Sequence, residues 1–186
     1  MKTFKLFIVL IPLLTFFACC EDTGKTETED EKTEVDEKER TEVEKYVDAL
    51  RNNQYDDRYL PAFTYEHIDE LLMYRNEKDI ITNFPRNPVS SLWLWEWELG
   101  IYILWTIESI RVLTITTDSD ILFFRFPSGN PVLRSRESEK FESIFDVERY
   151  QIASDAYYAW WTNNKDKTIE EIMAIDPLEN TIYRWR

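Results

Sequence analysis

Thiols are almost missing from this chain: of 186 residues only Cys19 and Cys20 carry one, and they are adjacent. Beyond residue 20 there is no material for an internal disulfide, a thiolate metal site or a cysteine nucleophile. Histidine occurs once, at His67. A zinc site would need several such ligands, and a Ser-His-Asp triad would have to use that ring without any G-x-S-x-G nucleophile elbow to accompany it. Glycine occurs three times, and Gly24 lies in a highly charged stretch. No Gly-rich phosphate loop or dinucleotide fingerprint can be assembled from the remainder. Turns that require positive φ must also be scarce, which favours helices over a many-hairpinned sandwich. Neither a metal nor a cofactor is therefore expected. Positive charge is short as well: 22 Lys and Arg stand against 36 Asp and Glu, a formal charge of −14. Such a field repels phosphate backbones, so nucleic acid is a poor partner.

The chain opens with Lys2 and Lys5, an uncharged run from Leu6 to Phe17, and then Ala18-Cys19-Cys20-Glu21-Asp22. This is the basic, apolar, small-residue order of a secretory signal. The 12 residues of the run fall well short of the roughly 20 that a bilayer-spanning helix needs. The junction resembles a bacterial lipobox. That resemblance implies cleavage between Ala18 and Cys19 and a lipid on Cys19, which would hold the protein at a membrane. Phe16 stands where leucine is usual, and Cys20 keeps open a cut one residue later. An ordinary secretory signal is the plainer alternative. Acidic residues directly after the cysteine pair, Glu21 and Asp22, resemble the surface-export signal of Bacteroidetes-type lipoproteins. Outer-membrane display at the cell surface is accordingly placed ahead of periplasmic retention.

Residues 1–18 thus read as a lipoprotein signal peptide and 19–40 as an acidic tether. Between Glu21 and Arg40 ten acidic and four basic residues surround a single large apolar one, Val35. Nothing in it can be buried to offset the entropy of ordering. Residues 41–186 form one domain with 16 basic and 26 acidic residues, a balance of −10. A basic protein or a neutral ligand suits that field.

The domain reads as mainly α. Thr41 with Glu44 makes a capping box for a first helix to about Asn53. Thr64 starts a second, with Phe63 and Ile68 as a hydrophobic staple, ending before Asn83-Phe84-Pro85-Arg86-Asn87-Pro88. A third is expected from Ser90 or Ser91 to about Arg111, a fourth from Asp146 to Thr162, and a short last one boxed by Thr168 and Glu171. β-Branched and aromatic residues at 112–116 and 121–126, around Thr117-Asp118-Ser119-Asp120, allow at most one β-hairpin in this helical domain. Phe84-Pro-Arg-Asn-Pro-Val89 is echoed by Phe126-Pro-Ser-Gly-Asn-Pro-Val132, which hints at a degenerate helical repeat with equivalent loops. The blocks NFPRNPVSS (83–91), LWTIESIR (104–111), RFPSGNPVL (125–133), AYYAWW (156–161) and IDPLENTIYRW (175–185) resemble those of small Bacteroidetes lipoproteins of unknown function. That resemblance implies an address and no activity.

Aromatic residues are abundant. Trp93 and Trp95 could present a ligand platform, although Trp93, Trp97 and Trp105 fall in an apolar run that suits a central buried helix. Trp160 and Trp161 are adjacent on one predicted helix, so one of them is expected at the surface as an aromatic contact. Glu108 lies in the stripe of Trp97, Ile101 and Leu104. Arg111, three residues on, is its natural ion-pair partner, with a general acid of raised pKa as the catalytic alternative. These features point to a lipid-anchored, non-catalytic binding or accessory module for a protein or glycan. The competing readings are a carboxylate-only glycan hydrolase, which needs two carboxylates facing across an open cleft, and an acidic inhibitor or immunity lipoprotein.

Overall fold

Helix starts are set locally where a Thr-x-x-Glu box is present. α1 (Glu42–Arg51) begins after Thr41, whose hydroxyl accepts from the Glu44 amide while the Glu44 carboxylate accepts from the Thr41 amide. α6 (Ile169–Ala174) repeats the device with Thr168 and Glu171. Each box satisfies amides that would otherwise lack a partner. α1 buries Val43, Tyr46, Val47 and Leu50, the stripe its spacing predicts. The computed structural model describes residues 39–88, 90, 95–137 and 147–186. The signal peptide, most of the tether, Cys19 and Trp93 lie outside the described residues, as do Ser91 and Asp146, where helix starts were placed.

The fold is mainly α and its described part forms a single unit from Glu39 to Arg186. The second predicted helix is a composite: a 3₁₀ turn at Tyr65–His67, α2 (Ile68–Leu71) and a 3₁₀ turn at Leu72–Tyr74. It buries Ile68, Leu71 and Leu72. At its centre the domain carries α3 (Leu99–Ile115), in which every residue from Leu99 to Ile110 is buried. α3 packs against α2, α5 (Val147–Thr162) and α6, so apolar side chains are needed all round its axis.

α3 starts later than its apolar run. Trp97 and Glu98 form β2, which pairs antiparallel with β1 (Ile80–Ile81) in the register Ile80 to Glu98 and Ile81 to Trp97. The helix then opens on carbonyls of the preceding segment: Leu99 N–H donates to Asp79 O and Gly100 N–H to Glu77 O, both at 2.8 Å. A side chain at Gly100 would place its Cβ 2.6 Å from Arg75 O and 2.9 Å from Glu77 O. Only glycine permits this approach of backbone to backbone.

The hairpin that the sequence allows is absent, and its two halves are helical. Val112–Ile115 prolongs α3, and 121–124 belongs to α4 (Ser119–Phe124). The polar residues between them act as a helix start, with Asp118 Oδ1 accepting weakly from Ile121 N–H at 3.4 Å. α4 ends on Arg125, at φ 59°. The described sheet structure is instead two ribbons joining distant segments: β1 with β2, and β3 (Leu133–Ser135) with β4 (Tyr183–Trp185).

Candidate functional site

The two echoed loops lie against each other and exchange side chains. Asn87 Nδ2 donates to Ser128 O at 2.8 Å, and Asn130 Nδ2 donates to Ser90 Oγ at 3.0 Å. Both asparagines are buried, so each amide does for the other loop what a strand would do for a neighbour. α3 holds the pair from beneath with residues spaced along one face. Tyr102 Oη donates to Pro85 O at 2.9 Å in the first loop. Trp105 Nε1 donates to Ser128 Oγ at 2.8 Å, and Ser109 Oγ to Arg125 O at 2.6 Å, in the second. Each loop is also followed by a short strand and then a long helix, β2 with α3 and β3 with α5.

Prolines shape the loops and phenylalanines anchor them. Phe84 rests on Tyr102 with centroids 5.1 Å apart, and Phe126 stacks on Trp105 at 5.4 Å and 18°. Their outer edges, with Phe124, Tyr59, Pro85 and Pro88, wall an open pocket of about 390 Å³. Asp57, Arg58 and Arg86 also line it. The Arg86 guanidinium lies 4.4 Å from the Phe84 ring centroid and 6.0 Å from that of Trp95. Its Nη2 donates to Thr82 O at 3.0 Å. Desolvation lowers the Arg86 pKa from its ordinary value, with the nearby Tyr102 opposing, but a guanidinium remains charged at neutral pH.

Trp95, one of the residues singled out from sequence, is 72% exposed and stands beside this pocket through its contact with Arg86. The adjacent pair is different. Trp160 and Trp161 are both buried, at 4% and 7% exposure, so neither is the projecting contact that adjacency predicts. α5 is covered on two sides: Trp160 Nε1 donates to Ile172 O in α6 at 3.1 Å, and Trp161 Nε1 donates to Asp69 Oδ1 in α2 at 2.7 Å. Burial pulls the Asp69 carboxyl up, yet its hydrogen bonds from Lys165 and Trp161 prevail and hold it below the usual aspartate value. The exposed aromatic of α5 is Tyr158, 4.3 Å beneath the Arg75 guanidinium.

Glu108 and Arg111 form a buried pair remote from the pocket's lining. Arg111 Nη2 donates to Glu108 Oε1 at 2.6 Å and Arg111 Nε to Oε2 at 2.9 Å. Oε2 also accepts from Tyr157 Oη at 2.6 Å, and Arg111 Nη1 donates to Met173 O at 3.0 Å. Tyr157 Oη in turn accepts from Trp185 Nε1 at 2.7 Å. Burial, reinforced by the Glu108 charge, raises the Tyr157 pKa well above the usual tyrosine value, so it stays a donor. This arrangement engages both carboxylate oxygens in holding α3, α5, α6 and β4 together. His67 caps its own turn, accepting from Thr64 N–H through Nδ1 at 3.1 Å.

Among the described residues no group of three or more His, Cys, Asp or Glu side chains is placed to hold a metal ion. Nor is any described helix long and apolar enough to cross a membrane. Sequence reasoning missed Tyr59, Phe124 and the pocket itself; the loop echo was its visible trace. Residues 37–186 match a protein family described as a domain of unknown function, DUF4943. No curated protein and no solved structure matches the chain.

Proposed function

The chain belongs to the DUF4943 family of domains of unknown function, and on that footing we propose a non-catalytic binding module, anchored to the outer membrane by lipid on Cys19 and displayed at the cell surface. The observation that carries the binding role is the pocket clasped between the two loops. Its volume of about 390 Å³ falls in the range of ligand sites, ~300–1,000 Å³. Six of its nine lining residues are phenylalanine, proline or tyrosine, and Asp57, Arg58 and Arg86 complete it. An aromatic or aliphatic anchor side chain of a protein partner can bury itself against those rings, as interface anchors do in well-packed pockets. The balance of −10 over residues 41–186 attracts a partner whose approaching face is basic.

Two measurements test the reading. Mass spectrometry of the mature protein should find Cys19 at the amino terminus carrying diacylglycerol; a bare amino terminus or a retained leader refutes the anchor. A photo-crosslinker placed at Tyr59 on the full mature chain should capture a partner, and Tyr59→Ala should then weaken the isolated complex. Truncating an aromatic anchor contact costs about 2 kcal/mol or more, roughly 30-fold in Kd. Association should slow as salt rises, because steering is screened. Affinity unchanged by Tyr59→Ala together with Phe124→Ala would remove the pocket from the interface.

A further inference from the structure

A second opening lies between α5 and the segment 175–181, with a volume of about 450 Å³, and its lining is richer in uncharged polar side chains than the first. α5 contributes Asp155, Trp160 and the small side chains of Ala156 and Ala159, with Asn163 just beyond its end; the facing segment contributes Ile175, Asp176, Pro177 and Asn180. Ala156 and Ala159 share one helical face by their spacing, Asn163 follows at the helix end with its N–H donating to Ala159 O at 2.9 Å, and the two alanines leave room that larger residues would fill. Asp155 and Asp176 are held in place rather than poised to react. Asp155 Oδ1 accepts from Gln151 Nε2 at 3.0 Å. Asp176 accepts from Arg136 Nη2 at 3.0 Å and from Leu178 N–H at 2.9 Å.

Each carboxylate keeps acceptor capacity beyond these bonds, and each amide both donates and accepts. No lysine or arginine lines the cleft. An anionic ligand would therefore meet the Asp155 carboxylate and an Asp176 already paired with Arg136, with no lining cation to receive it, and an apolar one would strand polar groups away from water. A neutral ligand rich in hydroxyls satisfies the set: its O–H groups donate to the carboxylates and exchange bonds with the amides, while its C–H faces cover the alanines. We propose that this cleft is a non-catalytic binding site for a neutral glycan, separate from the protein-binding pocket between the loops.

Titration calorimetry of the full mature chain would use neutral gluco-, manno-, xylo- and N-acetylglucosamine oligomers as probes, with oligogalacturonate as an acidic counter-probe. One neutral series should bind with sub-millimolar Kd. Asn163→Ala with Asn180→Ala should weaken it at least about tenfold, equivalent to ~1.4 kcal/mol. Ala159→Leu should abolish it by filling the cleft. Asn163, Asn180 and Ala159 are exposed, so unchanged circular dichroism and melting temperatures are expected of these variants. Tyr59→Ala should leave glycan binding intact, which separates this cleft from the loop pocket. The proposal is overturned by no neutral binding at about 10 mM, by preference for oligogalacturonate, by binding that survives both cleft variants, or by release of shortened products that Asp155→Asn stops.

Discussion

Replacing Glu108 with alanine should cost about 3–5 kcal/mol of folding stability, the usual result of removing one partner from a buried ion pair. Domains of this kind have roughly 5–15 kcal/mol in total, so the variant sits near the edge of folding. The reason is the company the carboxylate keeps. With side chains 7% and 11% exposed, Glu108 and Arg111 are shielded from water. Without the carboxylate, Arg111 keeps only its bond to Met173 O among those described above, and Tyr157 Oη loses its acceptor. Urea unfolding followed by circular dichroism measures the loss. A double replacement, Glu108→Leu with Arg111→Met, should recover part of it, because two apolar residues leave no orphaned charge although Tyr157 Oη still lacks its acceptor. Asp48→Ala, at the exposed pair with Arg40, should change stability by less than about 1 kcal/mol. If Glu108→Ala falls in that same small range, the pair is not the buried link described here.

Trp105→Ala should be comparably damaging, at about 3–5 kcal/mol for a fully buried aromatic, and should also disable the loop pocket. Trp105 is 0% exposed, stacks on Phe126 and donates to Ser128 Oγ. Removing it opens a cavity beneath the second loop and frees the residue that Asn87 grips through its carbonyl. Trp105→Phe separates the two contributions: most of the ring remains, while the indole hydrogen bond, worth about 1 kcal/mol, is lost. Partner affinity measured across the three proteins should fall in the order native, Phe, Ala. Equal affinity in native protein and the phenylalanine variant would detach the loop's position from that bond.

Local chemistry was legible in the sequence and distant competition was not. Thr41 with Glu44 and Thr168 with Glu171 act within four residues, and both boxes form as their spacing predicts. The start of α3 depends on Ile80 and Ile81, more than a dozen residues upstream, which capture Trp97 and Glu98 before the helix can begin. Helical pattern cannot reveal such a rival. Val112 to Thr116 carries strand propensity, but Val112–Ile115 continues a helix that is buried throughout from Leu99 to Ile110, and tertiary packing overrides so weak a preference. Trp160 and Trp161 were misjudged because one helix can bury adjacent residues when it is covered on two sides. The Phe-Pro echo was visible, yet only the fold shows its copies facing each other. The polar cleft left no trace, since alanine, asparagine and aspartate at irregular spacing look like ordinary surface.

The crossed asparagines have a consequence for selectivity. Because Asn87 and Asn130 tie the two loops to each other through their own side chains, the pocket's shape does not depend on an occupant, and the proposed partner would spend little entropy on moulding it. Stiff walls judge shape severely: a misfit of one methylene costs about 1–3 kcal/mol in such a socket. A binding partner of the proposed kind should therefore tolerate few changes in its anchor side chain.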